Sequence, residues 1–306
     1  MNLLAFSAGV DSTALFFILL NKKIPFDLAI VNYHTRKQSN EEVEYAKKLA
    51  KKYNKKLYIK DCYLDNKNFE AKARNCRYKF FEKLSEKYGY KNLYLAHQLN
   101  DRLEWFLMQL SKGAGLKEII SMPKIEKKDK FIIHRPLIEM SKEEILEYLN
   151  NNNIKYFIDE SNFDTKYKRN YFRKEFSDKF IHQFKDGVKR SFKYLEEDKN
   201  LLLQEDWIQE EKLFYFEKTN PKIDIKKVDL ILKKLGYVLS KPQRDEIINR
   251  NFSTVIGAKI AIDSNNTQIY ISPYETVIMD KKFKEKMRKK RIPPKVRGYI
   301  HKLSLF

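Results

Sequence analysis

The stretch Leu3-Leu4-Ala5-Phe6-Ser7-Ala8-Gly9-Val10-Asp11-Ser12 decides the fold. Its first four residues are apolar, as in a buried strand, and a helical pattern over residues 13–20 follows the small and polar ones. Backbone N–H groups at the start of a helix are unpaired and carry partial positive charge, so this arrangement can bind phosphate. Small residues let a phosphate approach the backbone closely. The sequence therefore predicts an anion-binding loop over residues 7–12.

Asp11 stands inside this loop and is unsuited to direct contact with phosphate. A carboxylate at this position fits instead the binding of Mg²⁺ that is itself bound to phosphates. The alternative is an ordinary helix whose start is capped by Ser or Asp. No G-x-x-x-x-G-K-[ST] spacing occurs in the chain, which excludes a Walker A loop.

Short apolar runs alternate with longer amphipathic ones through the first half of the chain. The pattern predicts strands over residues 3–6, 26–31, 57–59 and 92–96, and helices over residues 13–20, 39–53, 69–88 and 99–110. This alternation indicates an α/β fold with a doubly wound, mostly parallel sheet. The carboxyl ends of its strands would share one edge, and ligands bind at that edge in open α/β folds.

The second half of the chain has a different pattern. Residues 124–130 are predicted to form a hairpin tip or loop, Ser141 to cap a helix with Glu144, and residues 161–173 to form a loop that enters a helix. Residues 184–250 have a helical, highly charged pattern, and short β-like runs occur at 255–256, 259–262 and 268–271. We place a domain boundary near Gly187. It separates a domain of residues 1–186 from a smaller α+β domain of residues 187–306.

The charge of the chain is strongly unbalanced. Its 306 residues carry 62 Lys and Arg against 41 Asp and Glu, a formal net charge of +21, while 42% hydrophobic residues suffice for a core. This balance favours a nucleic acid as partner over a merely lysine-rich surface. A dense basic stretch over residues 281–297 is a candidate surface for RNA phosphates, the alternative being a disordered basic tail.

Cysteine and histidine usage indicates the compartment. Cys62 and Cys76 are too few for a disulfide framework and are expected to be two ordinary buried thiols. The five histidines are scattered, which disfavours a zinc site. Residues 13–20 lack the basic flank and cleavage site of a signal peptide, and no apolar run is long enough to span a bilayer. The sequence therefore predicts a soluble cytoplasmic protein without membrane association. It leaves the oligomeric state open, a homodimer included.

Two sets of charged residues are candidates for the chemistry. Asp101 and Glu104 are three residues apart on one predicted helix, so both carboxylates project from one face and could receive an ammonium ion or Mg²⁺. The alternative is a solvated acidic face. His97 ends the preceding strand, where it could orient a ligand or be a satisfied structural histidine. The chain also has two pairs of arginines, Arg74 with Arg77 and Arg169 with Arg173. Each pair could bind phosphate, or could simply be solvated.

Residues 7–12 resemble the S-G-G-x-D-S signature of the PP-loop ATP pyrophosphatases, with Ala8 in place of the usual first glycine. These enzymes cleave ATP to AMP and pyrophosphate while they adenylate a substrate. The resemblance implies a Rossmann-like PP-loop domain whose nucleotide-binding residues are Ser7, Ala8, Gly9, Val10, Asp11, Ser12 and His97.

Four further blocks resemble one branch of that superfamily, the tRNA(Ile)-lysidine synthetases, and the likeness covers about residues 3–173. The blocks are V-N-Y-H-T-R at 31–36, A-R-N-C-R-Y at 73–78, the segment from Leu95-Ala96-His97 through Asp101 and Glu104 to Gly115, and Arg135-Pro136-Leu137 with Asp159, Ser161, Asn162, Asp164, Tyr167, Arg169, Asn170 and Arg173. The sequence departs from the family pattern at Tyr33, Gln98, Arg102 and Trp105.

This resemblance implies a ligase that uses ATP, L-lysine and the isoleucine tRNA with a CAU anticodon. The wobble cytidine would be adenylated, and the lysine ε-amine would then displace AMP to give lysidine. Asp11 would place Mg²⁺, and Arg74 would stabilise charge on the α-phosphate. Asp101 and Glu104 would bind the ammonium group of lysine or help to deprotonate its ε-amine. Arg77, Arg169 and Arg173 would bind substrate phosphates.

Three other interpretations remain open at the level of sequence. A PP-loop tRNA thiolase would need a cysteine pair such as C-x-x-C, and Cys62 and Cys76 have no such spacing. A PP-loop amidotransferase-type synthetase would need an ammonia source or a glutaminase domain. A non-catalytic RNA-binding protein of this fold is supported by Ala8 and Trp105 and opposed by the intact Asp11, Asp101 and Glu104.

Overall fold

The computed structural model describes residues 1–35, 38–65, 68–158 and 168–305. It divides into two compact units, Met1–Glu197 and Asp198–Phe306. The boundary proposed from the sequence, near Gly187, lies earlier in the chain, inside the helix Asp178–Leu202.

A six-stranded sheet forms the centre of the first unit. Its strands are β1 (Asn2–Ala5), β2 (Asp27–Asn32), β3 (Leu57–Asp61), β4 (Asn92–Tyr94), β5 (Ile125–Lys127) and β6 (Ile132–His134). They lie in the order β3-β2-β1-β4-β6-β5, and all neighbours are parallel except the hairpin pair β5 and β6. The predicted doubly wound, mostly parallel sheet is thereby confirmed. Because chain connections diverge on either side of β1, a crevice for ligands is expected at its carboxyl end.

The helices of this unit follow the predicted alternation. They are α1 (Val10–Asn21), α2 (Gln38–Lys52), α3 (Phe69–Tyr88), α4 (Leu99–Leu110), α5 (Leu116–Ile119), α6 (Lys142–Asn151), α7 (Lys168–Phe172) and α8 (Asp178–Leu202), with a π-helical turn at Arg173–Ser177. In the described part of the chain, none of the helices is long and apolar enough to cross a membrane.

Strand β1 shows why helices cover both faces of the sheet. Successive side chains of a strand point to opposite faces. Leu4 packs in one buried cluster with Leu15 and Phe16 of α1, while Leu3 packs in another with Phe81 of α3. A strand buried on both sides reads as a continuous apolar run, which is the pattern of residues 3–6.

The second unit is built on a five-stranded antiparallel sheet, in agreement with the predicted α+β class. Its strands are β7 (Ile208–Glu210), β8 (Leu213–Glu217), β9 (Thr254–Ile256), β10 (Ile260–Ser264) and β11 (Gln268–Pro273), in the order β7-β8-β11-β10-β9. Its helices are α9 (Pro221–Lys234), α10 (Lys241–Asn249), α11 (Lys281–Lys289) and α12 (Arg297–Lys302), with a 3₁₀ turn at Pro294–Val296.

The purely helical assignment of residues 184–250 was wrong, because β7 and β8 lie inside that range. Strand β8 has the sequence Leu-Phe-Tyr-Phe-Glu, and Leu213, Phe214 and Phe216 are buried. Aromatic residues favour strands, but the charged helices on either side obscured so short a run. The basic stretch over residues 281–297 is folded, because α11 covers Lys281–Lys289 and a 3₁₀ turn follows at Pro294–Val296. The alternative of a disordered basic tail was therefore wrong.

The expectation of two separate thiols was also wrong. The structure joins Cys62, just after β3, to Cys76 in α3 by a disulfide. The second cysteine stands fourteen positions after the first in the sequence. Helix α3 runs back along the sheet, so that its second turn lies at the end of β3. Sequence spacing alone does not show this proximity.

Candidate active site

The loop between β1 and α1 is held by its own serines. The Ser7 backbone N–H donates to the Ser12 hydroxyl oxygen at 3.1 Å, and the Ser12 hydroxyl donates to the Gly9 carbonyl at 3.2 Å. Gly9 is the N-cap of α1, and within the described residues no side chain caps it. The N-terminus of α1 is thus available to an anion, as the sequence predicts.

Ala8 adopts a backbone conformation that favours glycine. Its φ is +59°, its side chain is fully buried, and its carbonyl accepts a hydrogen bond from the Phe157 N–H at 3.0 Å. The left-handed region costs a residue with a Cβ about 1–2 kcal/mol. The glycine usual here in PP-loop enzymes therefore has a backbone reason, and the loop keeps its turn with alanine.

Asp11 points from the first turn of α1 to Lys142 at the start of α6. The Lys142 ammonium donates to Asp11 Oδ1 at 2.8 Å. Burial raises the pKa of Asp11 and the carboxylate of Asp101 raises it further, while Lys142 opposes the shift. Asp11 and Asp101 therefore lie close enough for their charges to interact. This agrees with the sheet topology, in which the phosphate loop follows β1 and α4 follows the neighbouring strand β4.

Asp101 has two structural partners at the start of α4. Its Oδ2 accepts the Gln98 backbone N–H at 3.1 Å, and the Gln98 side chain accepts the Asn100 N–H, which together cap the helix. Its Oδ1 accepts a hydrogen bond from Arg169. Capping fixes the carboxylate before any substrate arrives.

Glu104 is fully buried and accepts hydrogen bonds from the guanidinium groups of two arginines. Arg169 Nε donates to Glu104 Oε2 at 2.8 Å, and Arg173 Nε donates to Glu104 Oε1 at 2.6 Å. Arg173 also lies 3.8 Å from Asp101 Oδ1. We call Asp101, Glu104, Arg169 and Arg173 the ionic cluster. The sequence analysis predicted that Arg169 and Arg173 bind phosphates or are solvated, whereas in the structure both arginines form ion pairs with the carboxylates.

The charges of the ionic cluster shift one another's pKa values. Burial alone would raise the pKa of Asp101, but the charges of Arg169 and Arg173 and the Gln98 N–H bond act together with His97 to lower it. Burial and the neighbouring Asp101 raise the pKa of Glu104. Burial would lower the pKa of Arg169, and the two carboxylates raise it instead. Two negative and two positive groups thus balance in a site whose carboxylates are buried and whose guanidinium groups are partly exposed.

His97 lies between the ionic cluster and Arg135, which does not belong to the cluster. Its Nδ1 accepts a hydrogen bond from Arg135 Nε at 3.3 Å, and Arg135 in turn donates to Glu126 at 2.6 Å. Burial lowers the pKa of His97 to about 4, and the positive charges of Arg135, Arg169 and Arg74 act in the same direction against the attraction of Asp101. His97 is therefore a neutral imidazole that holds its Nδ1 lone pair toward Arg135.

The two arginines of α3 are exposed. Arg74 lies over the Tyr78 ring at 4.7 Å and lines a cavity of about 730 Å³ between α3 and the turn of the β5–β6 hairpin. Its charge reaches His97, so it borders the site. Arg77 lies near Tyr33, whose pKa burial raises to about 12. Arg36, Asp159, Ser161, Asn162, Asp164 and Tyr167 of the family blocks lie outside the described residues.

Three of the residues that depart from the family pattern, Gln98, Arg102 and Trp105, lie on or beside α4 and hold it in place. Gln98 caps the helix, and the buried Arg102 reaches Glu196 of α8 at 2.6 Å while it lies over the Phe192 ring. The Trp105 indole N–H donates to the Glu118 carbonyl at 2.8 Å. These positions hold α4 in place and contribute no group to the ionic cluster.

Sequence reasoning missed Lys142 as a site residue. Ser141 accepts the Glu144 N–H, and Glu144 accepts the Ser141 N–H, so a capping box fixes the start of α6. The Lys142 N–H donates to Asn100 Oδ1 at 3.1 Å. The sequence predicted the capping of α6 by Ser141 and Glu144. It did not show that the side chain of Lys142 points to Asp11.

Comparison with known proteins agrees with this geometry. A family model described as a PP-loop domain matches residues 1–180. A tRNA(Ile)-lysidine synthase of Wolinella succinogenes is 44% identical over 97% of this chain and 92% of its own length. The corresponding protein of Campylobacter jejuni is 45% identical over 99% and 94%.

The chain belongs to the tRNA(Ile)-lysidine synthase family. The relative in Helicobacter pylori strain 26695 is 42% identical over 98% of this chain and 89% of its own. Among solved structures, the U34-tRNA thiolase NcsA of Methanococcus maripaludis superposes with a TM-score of 0.52 and 18% identity, covering 64% of this chain and 71% of that one. That likeness concerns the fold alone.

The conformation of Ala8 predicts an unusual response to glycine in this family member. Ala8→Gly should leave the free energy of unfolding within about 1 kcal/mol of the original or raise it, because relief at positive φ offsets the greater freedom of the unfolded chain. Ala14→Gly, the matched change inside α1, should lose about 1 kcal/mol. Denaturant unfolding measures both. A larger loss for Ala8→Gly than for Ala14→Gly would contradict the left-handed assignment.

Glu104 is predicted to matter for stability as well as chemistry. Glu104→Ala should lower the free energy of unfolding by about 3 kcal/mol, because two partly buried guanidinium groups lose their partner. Glu104→Gln keeps an acceptor oxygen and should lose less. Glu139→Ala removes an exposed partner of Lys124 and should cost at most about 1 kcal/mol. Equal losses for Glu104→Ala and Glu139→Ala, measured by urea unfolding, would show that the cluster is not stabilising.

His97 is predicted to stay neutral throughout the physiological range. Its folded pKa of about 4 lies below the unfolded value near 6.5. The unfolded chain therefore binds the proton first, and this residue's contribution to stability falls by up to about 3 kcal/mol as the pH drops from 6.5 to 4. His97→Asn should lose less over that interval. NMR titration, with the variant for assignment, checks the pKa, and a value above 6.5 would contradict the burial.

Proposed function

We propose that the chain synthesises lysidine, joining L-lysine to the wobble cytidine of the isoleucine tRNA with a CAU anticodon at the cost of ATP. One arrangement carries this proposal. The phosphate loop follows β1 and the helix that carries Asp101 and Glu104 follows β4, and these strands are parallel neighbours, so both lie at the same edge of the sheet. Lys142 contacts Asp11 with its ammonium and Asn100 of α4 with its backbone N–H, so a nucleotide phosphate and an amine bound at these places would lie side by side.

The first step is adenylation of the cytidine. Its C2 carbonyl oxygen attacks the α-phosphorus of ATP, the bond to the β-phosphate oxygen breaks, and pyrophosphate leaves. The start of α1 and the hydroxyls of Ser7 and Ser12 would hold the departing pyrophosphate. Arg74, which borders His97, would stabilise negative charge that develops on the α-phosphate.

The second step is attack by lysine. The ε-amine adds at C2, and the former carbonyl oxygen leaves as part of AMP. The ammonium form is not a nucleophile, so the amine must lose a proton as it attacks. Glu104, whose pKa burial raises, is the carboxylate better suited to accept that proton. Asp101, whose pKa is lowered, would keep its charge and hold the incoming cation.

Mg²⁺ fits the donors around the phosphate loop. In the described residues, no group of three acidic, histidine or cysteine side chains is placed to hold a metal ion by itself. A hard cation bound mainly by phosphate oxygens and water needs only one or two carboxylates. Asp11 would supply one, and the ion would neutralise pyrophosphate when bound. Lys142 now neutralises Asp11 and would then be free to contact a phosphate oxygen.

The ionic cluster must change partners during this reaction. Arg169 and Arg173 hold the carboxylates to which we assign the lysine amine. An arriving ammonium ion can replace a guanidinium without changing the charge of the site. The released arginines, and Arg77 nearby, could then bind phosphates of ATP or RNA, as the family resemblance implies. This exchange would couple nucleotide binding to opening of the lysine site.

The second unit would bind phosphates of the RNA. In α11 the side chain of Met287 is buried, whereas most of the lysines and Arg288 are exposed. A helix with one apolar and one cationic face can pack on its own sheet and present the other face to phosphates. A homodimer stays a prediction.

The reaction is tested by labelled-lysine incorporation. Asp11→Asn and Asp101→Asn should each lower the rate at least about 100-fold, because each removes charge that the transition state needs. Asp245→Asn changes an exposed aspartate of α10 in the same way and should leave the rate unchanged. The assay uses the full chain with ATP, Mg²⁺ and transcribed isoleucine tRNA. Full activity in both site variants would refute the assignment.

The same assay separates the rival functions. A thiolase would release AMP without incorporating lysine, and a non-catalytic RNA-binding protein would bind the tRNA without releasing pyrophosphate. Measuring pyrophosphate release with and without tRNA therefore distinguishes an enzyme from a binding protein, and lysine incorporation distinguishes lysidine synthesis from thiolation. Lysine-dependent AMP release supports lysidine synthesis.

A further inference from the structure

A row of aromatic rings lies along the segment that carries the two arginines of the ionic cluster. We call it the aromatic ladder, and its members are the exposed Tyr171, Phe176, Phe180 and Phe184 and the half-buried Phe172. Tyr171, Phe176, Phe180 and Phe184 are 46%, 45%, 49% and 53% exposed. Single exposed apolar residues are ordinary, but several large exposed rings close together mark a binding surface.

The rings form two groups along one segment. Phe172, Phe176, Phe180 and Phe184 recur every four residues across the π-helical turn and α8, and the backbone of α8 is kinked at Phe184. Phe172 and Phe176 have ring centroids 5.6 Å apart, and Phe180 and Phe184 have centroids 5.0 Å apart. Tyr171 packs edge-on against Phe176 at 5.9 Å.

The core does not account for this face. The buried side of the same segment is carried by Ser177, Ile181 and Val188, which are almost completely inaccessible. Ile181 and Val188 pack with Leu99 and Leu103 of α4. The segment therefore has its own core-facing side, and the ladder lies on another.

Positive charge borders the ladder. The Lys168 ammonium lies 5.7 Å from the Phe172 ring centroid, and Lys174 and Lys179 are exposed on the same segment. Arg169 and Arg173 come from the start of this segment and reach Asp101 and Glu104. The ladder is thus continuous with the site and suited to a ligand that combines flat apolar groups with negative charge.

We propose that the aromatic ladder is a stacking surface for the unpaired nucleotides beside the reacting cytidine. Chemistry on a base requires the base to leave its stack, and its loop neighbours then lose a stacking partner. Aromatic side chains replace that partner, while nearby cations hold the backbone. This inference rests on the proposed function and adds the place where the rest of the loop is bound.

Binding of two fluorescent RNAs tests the ladder. One is a hairpin that carries the CAU anticodon in its loop, and the other is a blunt duplex of the same stem. Phe176→Ala with Phe180→Ala should weaken hairpin binding about 10-fold or more, as expected for lost base stacking, and leave duplex binding unchanged. Phe180→Trp keeps a stacking ring and should bind the hairpin as the original does. Tyr194→Ala removes a 58% exposed ring of α8 outside the ladder and should have no effect.

Three results would overturn the inference. The first is unchanged hairpin binding in the double variant. The second is an equal loss of affinity for the duplex, or an equal loss of hairpin affinity in Tyr194→Ala. The third is a wild-type dimer that dissociates in sedimentation when the rings are removed, which would make the ladder a contact between copies. Thermal unfolding checks each variant, and Phe180→Ser alone replaces the double variant if that one unfolds. Ring-dependent hairpin binding without lysine incorporation would refute the reaction and leave the surface standing.

Discussion

The buried charge of Glu104 is the constraint on which the rest of the site depends. A lone carboxylate without access to water would be costly, and it persists here because Arg169 and Arg173 both reach it. Those arginines belong to a segment far along the chain from α4. The ion pairs therefore do more than balance charge, because they fix the segment from α7 into α8 against the edge where the phosphate loop opens.

The same constraint shapes the chemistry. A site that already holds two cations on two carboxylates is prepared for a third cation of similar size, since exchange leaves its net charge unchanged. A neutral or anionic molecule would leave a carboxylate or a guanidinium without its partner. Under the proposed function, the ionic cluster would select the amine of lysine by its charge, and the displaced arginines would become available to phosphate. Asp11 and Lys142 form a smaller pair of the same kind beside the phosphate loop.

The sequence predicted the parts of the fold that local patterns determine. The strand of residues 3–6, the phosphate loop and the helices around residues 69–88 and 99–110 follow from periodicity and capping. Contacts between distant segments could not be predicted in this way. The disulfide of Cys62 and Cys76 depends on how α3 returns along the sheet, and Lys142 meets Asp11 only because α6 packs beside α1. Spacing showed that Asp101 and Glu104 share a face, but not that two arginines occupy it.

Three departures from the family pattern have a physical explanation in the packing of α4. Gln98 caps the helix that presents Asp101, so the carboxylate is fixed with glutamine at this position. Arg102 is buried and joins α4 to α8 through Glu196, while Trp105 ties the same helix to the segment after it through the Glu118 carbonyl. These contacts act on the two helical segments that carry the ionic cluster. Substitutions there consequently alter how the cluster is supported, and they leave its four charged groups in place.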